Sequence, residues 1–167
     1  IYPGIKPKVH WPECSRLCRV NGVKLQIEHP RVFLKTLVNN RLEDSRLIAK
    51  VFGECRMFGT QGCPTVHEGR FYPCPTAPFM EPKLALHGTS FDNRGIDGVR
   101  LHDNPSLHEE VERALKRQNP LSACSYCLGS SGPRVPHHQL DGRGRAEWIK
   151  DDDRADIQSV SNRLLPG

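Results

Sequence analysis

The sequence predicts a small α+β domain that is rich in loops and contains a β-hairpin and a helix. The hairpin is predicted over 63–74, because β-branched and aromatic residues flank a Glu68-Gly69 turn. The helix is predicted over 105–118, where Pro105 suits the first helical position and apolar residues recur on one face. Fourteen Gly and fourteen Pro among 167 residues interrupt regular structure, and a hydrophobic content of 37% leaves a small core.

Shorter patterns predict the other elements. In chain order they are a strand over 23–27, a helix or a strand over 31–38, a helix over 43–53, a helical turn near 79–86 and an edge strand over 98–102. Asp44 or Ser45 can cap the 43–53 helix, and Gly53 can end it. We expect three parts in the chain, which are a lead-in over 1–45 that is irregular over 1–19, a central domain over 46–150 and a frayed tail over 151–167.

Charge and cysteine content narrow the class of protein. The net charge of +5 comes from scattered basic residues without interleaved aromatic residues, which favours a solvated basic surface over a nucleic-acid interface. No stretch reaches the ~18 apolar residues of a membrane helix, and no secretory signal pattern is visible. Seven cysteines without such a signal favour metal or redox chemistry in a reducing, cytoplasmic compartment over a disulfide framework.

A set of cysteines forms the candidate metal site. Its members are Cys55, Cys63, Cys74, Cys124 and Cys127. Cys124-x2-Cys127 is a clip in which two thiolates can bind one centre, and such clips serve zinc, iron–sulfur clusters and redox dithiols. A redox dithiol would stand at the start of a helix after a strand, whereas this clip follows the predicted 105–118 helix. We therefore expect the domain to be built around a cysteine-ligated metal centre.

Other polar groups offer alternative ligands. His67 in the hairpin and His137-His138 after the clip could join cysteines around zinc. Asp151-Asp152-Asp153 could bind a hard cation. We favour exposed loop histidines and a solvated acidic tail for these residues.

The spacing of the cysteines resembles a known module. The pattern begins at Cys55, continues after thirteen residues with Gly69-x4-Cys74, and ends after a gap with Cys124-x2-Cys127. It resembles the auxiliary-cluster module of radical S-adenosylmethionine enzymes, and most of all the shortened "twitch" version of the SPASM domain. The segment Gly69–Pro75 (GRFYPCP) is similar to the "G-K-L-Y-x-C-P" strand of one subgroup. Asn119-Pro120-Leu121 before the clip and Glu147-Trp148 after it are also similar to that subgroup, so the resemblance covers roughly residues 50–150.

The resemblance implies a four-iron four-sulfur cluster beside a catalytic barrel. By the twitch module's spacing, the four ligands are Cys55, Cys74, Cys124 and Cys127. Cys63 is the alternative to Cys55 as the ligand nearest the N-terminus. Such a cluster would carry electrons to or from a substrate radical, or bind substrate directly. The competing hypothesis is a structural zinc module that serves protein interaction, because thiolates bind either centre.

The chain departs from the family at the motif that makes the radical. That motif is C-x3-C-x2-C, and Cys14-x3-Cys18 begins its spacing, but Asn21 stands at the third position. We therefore expect the chain alone to be non-catalytic and to be the C-terminal piece of a longer enzyme. S-adenosylmethionine would bind only in that longer chain, and the radical-SAM barrel would be a partner in cis or in trans.

Overall fold

The computed structural model describes residues 10–26, 32–58, 62–136 and 152–166, and over these the predicted α+β class is confirmed. The helices are α1 (Trp11–Val20), α2 (Ser45–Gly53), α3 (Met80–Ala85), α4 (Arg94–Asp97), α5 (Leu107–Leu115) and α6 (Arg154–Leu164). The strands are β1 (Val32–Leu34), β2 (Thr65–His67), β3 (Arg70–Tyr72), β4 (Val99–Arg100) and β5 (Arg134–Pro136). Short 3₁₀ helices span Ala77–Phe79, Ser122–Tyr126 and Gly129–Ser131.

The predicted hairpin is confirmed as β2 and β3. Val66 pairs with Phe71 across an antiparallel ladder, and the turn residues Glu68 and Gly69 have φ of 45° and 70°. Positive φ at both central residues is the type I′ geometry that matches strand twist. The predicted edge strand is also confirmed, because β4 pairs antiparallel with β3. The segment 31–38, which could have been a helix or a strand, contains β1, and β1 pairs antiparallel with β5.

The two clearest helices differ slightly from their predicted limits. Asp44 caps α2, since its carboxylate accepts a hydrogen bond from the backbone N–H of Arg46 at 2.8 Å. The 105–118 helix is shorter than predicted and begins at Leu107. Asn104 forms a turn before it by accepting the N–H of Ser106 at 3.0 Å.

Two hydrophobic clusters make the core. The first contains Tyr72, Cys74, Ala77, Met80, Leu84, Leu121 and Ala123. The second contains Val38, Leu42, Leu47, Val51, Leu128 and Val160. The segment 121–128 contributes to both, so it joins the hairpin half of the molecule to the α2–α6 half.

The irregular structure predicted over 1–19 is wrong for the described part of that range, because α1 begins at Trp11. The lead-in also contains β1, and it supplies Val38 and Leu42 to the second cluster. The strand predicted over 23–27 is absent over the described residues 23–26, where Val23 and Leu25 are exposed. Alternation alone does not make a strand there, because none of the described strands pairs with residues 23–26.

The frayed tail predicted over 151–167 is also corrected. Residues 154–164 form α6, and Val160 is 1% exposed in the second cluster. Asp153 is equally buried because its carboxylate accepts hydrogen bonds from the backbone N–H groups of Asn39 and Asn40. The three acidic residues looked solvated in sequence, but one of them attaches the tail to the rest of the fold.

Within the described ranges, none of the helices is long and apolar enough to cross a bilayer.

Candidate metal centre

Four of the five candidate cysteines line one small cavity, at the place where the two core clusters meet. They are Cys55, Cys74, Cys124 and Cys127. The other walls are mainly apolar, and they are formed by Val51, Phe52, Met57, Phe58, Leu121 and Ala123. The family's spacing implied the same four cysteines.

Cys55 reaches the cavity from the end of α2. Its backbone N–H donates to the carbonyl of Phe52 at 3.1 Å, which closes the last turn after the helix. Gly129 faces it closely, because a Cβ at that position would lie 3.3 Å from the Cys55 Sγ and from a methyl of Val51. Gly129 also has φ of 51°, so the close approach and the turn both favour glycine.

Cys74 is placed by the hairpin. It follows β3 by two residues, and its Sγ lies 3.2 Å from the Thr76 hydroxyl. The hairpin therefore supplies the Cys74 thiol to the cavity.

Cys124 lies in the 3₁₀ helix Ser122–Tyr126, and Cys127 follows this helix directly with an extended backbone. Cys127 forms an isolated antiparallel bridge with Leu37. Its Sγ accepts the backbone N–H of Gly129 at 3.3 Å. Backbone donors aimed at sulfur stabilise thiolate and are a common feature of metal–sulfur loops.

A buried carboxylate that sequence reasoning missed holds the start of the clip. Asp97, whose side chain is 0% exposed, accepts the backbone N–H groups of Ser122 at 2.8 Å and Ala123 at 2.9 Å. It also accepts the Ser122 hydroxyl at 2.7 Å and the Asn93 amide at 3.0 Å. Nothing in the local sequence signals this role, because Asp97 and the clip are brought together only by the tertiary fold.

The cavity environment disfavours bare thiolates. Burial raises the pKa of the Cys127 thiol to about 12. Burial, and then the charge that Cys127 would carry, raises the pKa of Cys124 well above its usual range. Thiolates at Cys124 and Cys127 are therefore favoured only where a cationic centre binds them, as a metal or cluster would.

The free space is small in relation to a cluster. The cavity has a volume of about 20 Å³, which is room for about one water molecule. Among the residues described, no group of three or more His, Cys, Asp and Glu side chains is gathered as a single metal ion requires. The donor set and the apolar walls suit a cluster, but binding one requires the side chains that line the cavity to rearrange. Metal sites are commonly completed only when the metal binds.

The remaining candidates lie elsewhere. Cys63 is exposed and is not among the described residues that line the cavity. His67 is half-buried in β2 and packs against the ring of Phe79 with centroids 5.2 Å apart. Cys14 and Cys18 lie on α1, which buries none of its residues. His137-His138, Glu147-Trp148 and Asp151 lie outside the described residues.

Comparison with known proteins adds no family. No protein-family model matches the chain, and no curated protein matches it in a sequence search.

Proposed function

We propose that this chain is an auxiliary iron–sulfur domain that works beside a radical S-adenosylmethionine barrel, in cis or in trans, in a reducing cytoplasm. A four-iron four-sulfur cluster would be held by Cys55, Cys74, Cys124 and Cys127. The observation that carries the proposal is that these four thiols, which are far apart in sequence, line one cavity. The resemblance of their spacing to the twitch module supplies the enzyme class.

When bound, such a cluster supplies one-electron transfer, or binds substrate if one iron is left open. The chain's own residues would do three things. The four cysteines ligate, the apolar walls keep water from the site, and the Gly129 N–H and the Thr76 hydroxyl stabilise charge on sulfur. Hydrogen bonds to sulfur and exclusion of solvent are among the main controls on cluster potential. The radical-forming step belongs to the barrel, since this chain lacks the third cysteine of C-x3-C-x2-C.

Anaerobic reconstitution with iron and sulfide tests the proposal. We expect a brown protein with broad visible absorbance and about four irons per chain. Cys55→Ala, Cys74→Ala, Cys124→Ala and Cys127→Ala should each lower the iron content strongly, because each removes a thiolate.

Cys63→Ala is the matched control, because it removes an exposed thiol outside the cavity. It should keep the full iron content. A colourless protein with one stoichiometric zinc would instead establish the structural zinc module. Full iron content in Cys55→Ala with loss in Cys63→Ala would overturn the assignment of the first ligand.

A further inference from the structure

A second, more open groove lies beside the cysteine cavity and has a volume of about 540 Å³. It is formed by the segment after α2 and by the approach to β5, and α6 contributes one side chain. Met57 lines both the groove and the cavity, so the two sites are adjacent. Small-molecule sites commonly have volumes of about 300–1,000 Å³.

The groove carries an excess of positive charge. Three arginines, Arg56, Arg134 and Arg163, line it with a single carboxylate, that of Glu54. Other arginines of the described chain, such as Arg16, Arg46 and Arg94, lie within 4.0 Å of a carboxylate. None of the three groove arginines has such a partner among the described residues.

The local backbone helps to hold this arrangement. The backbone N–H of Arg56 donates to the Ser130 hydroxyl at 2.9 Å, which joins the two walls. Arg163 donates to the carbonyl of Ser131, which fixes the α6 side of the groove. The guanidinium groups of Arg56 and Arg134 have no described hydrogen-bond acceptor, so their donors remain available to a ligand.

The groove also has an apolar part. Leu34, Met57 and Pro133 line it together with the arginines. Guanidinium groups match the oxygens of phosphate and carboxylate, whereas the aliphatic side chains match a hydrocarbon portion. The chemistry therefore fits an organic anion better than an inorganic one.

We propose that this groove binds a small organic oxyanion. Its phosphate or carboxylate lies on Arg56 and Arg134, and its apolar body packs on Leu34 and Met57. The inference stands on the charge and shape of the groove, and it does not depend on which metal the neighbouring cysteines bind.

Calorimetric titration of the full chain with phenyl phosphate and with phenylacetate tests the proposal and distinguishes phosphate from carboxylate. We expect binding of at least one probe, and binding should weaken as salt is raised. Inorganic phosphate and phenol should bind at least about tenfold more weakly, because each lacks one half of the recognised chemistry.

The key variant is Arg56→Gln/Arg134→Gln, compared with Arg19→Gln/Arg46→Gln as a control of equal charge. Each pair lowers the formal net charge from +5 by two, to +3. We expect the groove pair to weaken probe binding by about tenfold or more and the control pair by less than about twofold. Equal weakening in both pairs, or binding of neither probe, would overturn the proposal.

A measurement on the unaltered protein covers the case in which the groove variant does not fold. In ¹⁵N-resolved NMR, addition of the bound probe should shift the backbone amides of residues 54–57, 130–132 and 134 more than those of α5. Shifts confined to other segments would also overturn the proposal.

Discussion

Asp97 holds the start of the cysteine clip by hydrogen bonds, although it does not itself line the cavity. It is fully buried, and its two oxygens accept four hydrogen bonds, three of them from Ser122 and Ala123 at the start of the clip. Its nearest described cation is Arg117, with 4.0 Å between Nη1 and Oδ1. A buried carboxylate is tolerated only because its lone pairs are used in this way.

Asp97→Asn should therefore destabilise the domain and disturb the clip. The amide replaces one acceptor oxygen by a donor and faces N–H groups, which costs about 1.5–3 kcal/mol for lost bonds to a charged group. We expect a lower melting temperature and a reduced iron content after reconstitution.

Asp103→Asn is the control for this prediction. Asp103 is exposed and has φ of 50°, a conformation that asparagine adopts readily. It should leave stability and iron content unchanged. An Asp97→Asn protein that melts and binds iron like the unaltered chain would show that the network does not position the clip.

At the scale of elements, irregular segments are joined by backbone hydrogen bonds outside the sheets. The N–H of Leu128 donates to the carbonyl of Thr36 at 2.6 Å, and the N–H of Val38 donates to the carbonyl of Tyr126 at 3.0 Å. The N–H of Lys35 donates to the carbonyl of Pro133 at 2.9 Å. This pairing places the segment after the clip directly against the segment after β1.

Gly132→Ala tests that contact. A Cβ at Gly132 would overlap the backbone carbonyl of Lys35, and backbone cannot rotate away as a flexible side chain can. Overpacking of this kind costs about 1–3 kcal/mol, and we expect a corresponding loss in thermal or denaturant unfolding.

Gly95→Ala is the matched control, because a Cβ there would meet nothing within 4 Å. It should be neutral or slightly stabilising, since alanine favours the helical conformation of α4. Similar unfolding curves for the two variants would contradict the close packing of residue 132 on Lys35.

At the scale of the whole molecule, the proposed metal centre lies between two modest core clusters. The cavity is lined by Val51 from one cluster and by Leu121 and Ala123 from the other. A group bound there would cross-link the two halves, and binding free energy in small metal domains is also folding free energy.

Removing the proposed metal centre should therefore loosen the region 55–127. We expect chelation or cluster oxidation to lower the melting temperature and to speed hydrogen exchange over that region. Exchange in α2 and α6 should change less, because they contact each other within the second cluster. Unchanged exchange over 55–127 after metal loss would refute the prediction, and Cys63→Ala should respond like the unaltered chain.

The sequence by itself determined the elements that have strong turn and capping signals in neighbouring residues. The Glu68-Gly69 turn and the Asp44 cap of α2 depend on residues close in the chain, so their physics is local, whereas β4 also needs its partner β3, which is distant in sequence. The grouping of Cys55, Cys74, Cys124 and Cys127 was implied by the resemblance to the twitch module. No residue next to Cys55 or Cys63 indicated which of the two faces the cavity.

Only the tertiary structure decided the rest. The burial of Asp153, the docking of α6 and the role of Asp97 each depend on partners that are distant in sequence. An acidic residue looks solvated in a sequence whether it faces water or a set of buried N–H groups. The difference lies in which donors the fold brings to it, and those contacts are made only when the two core clusters pack.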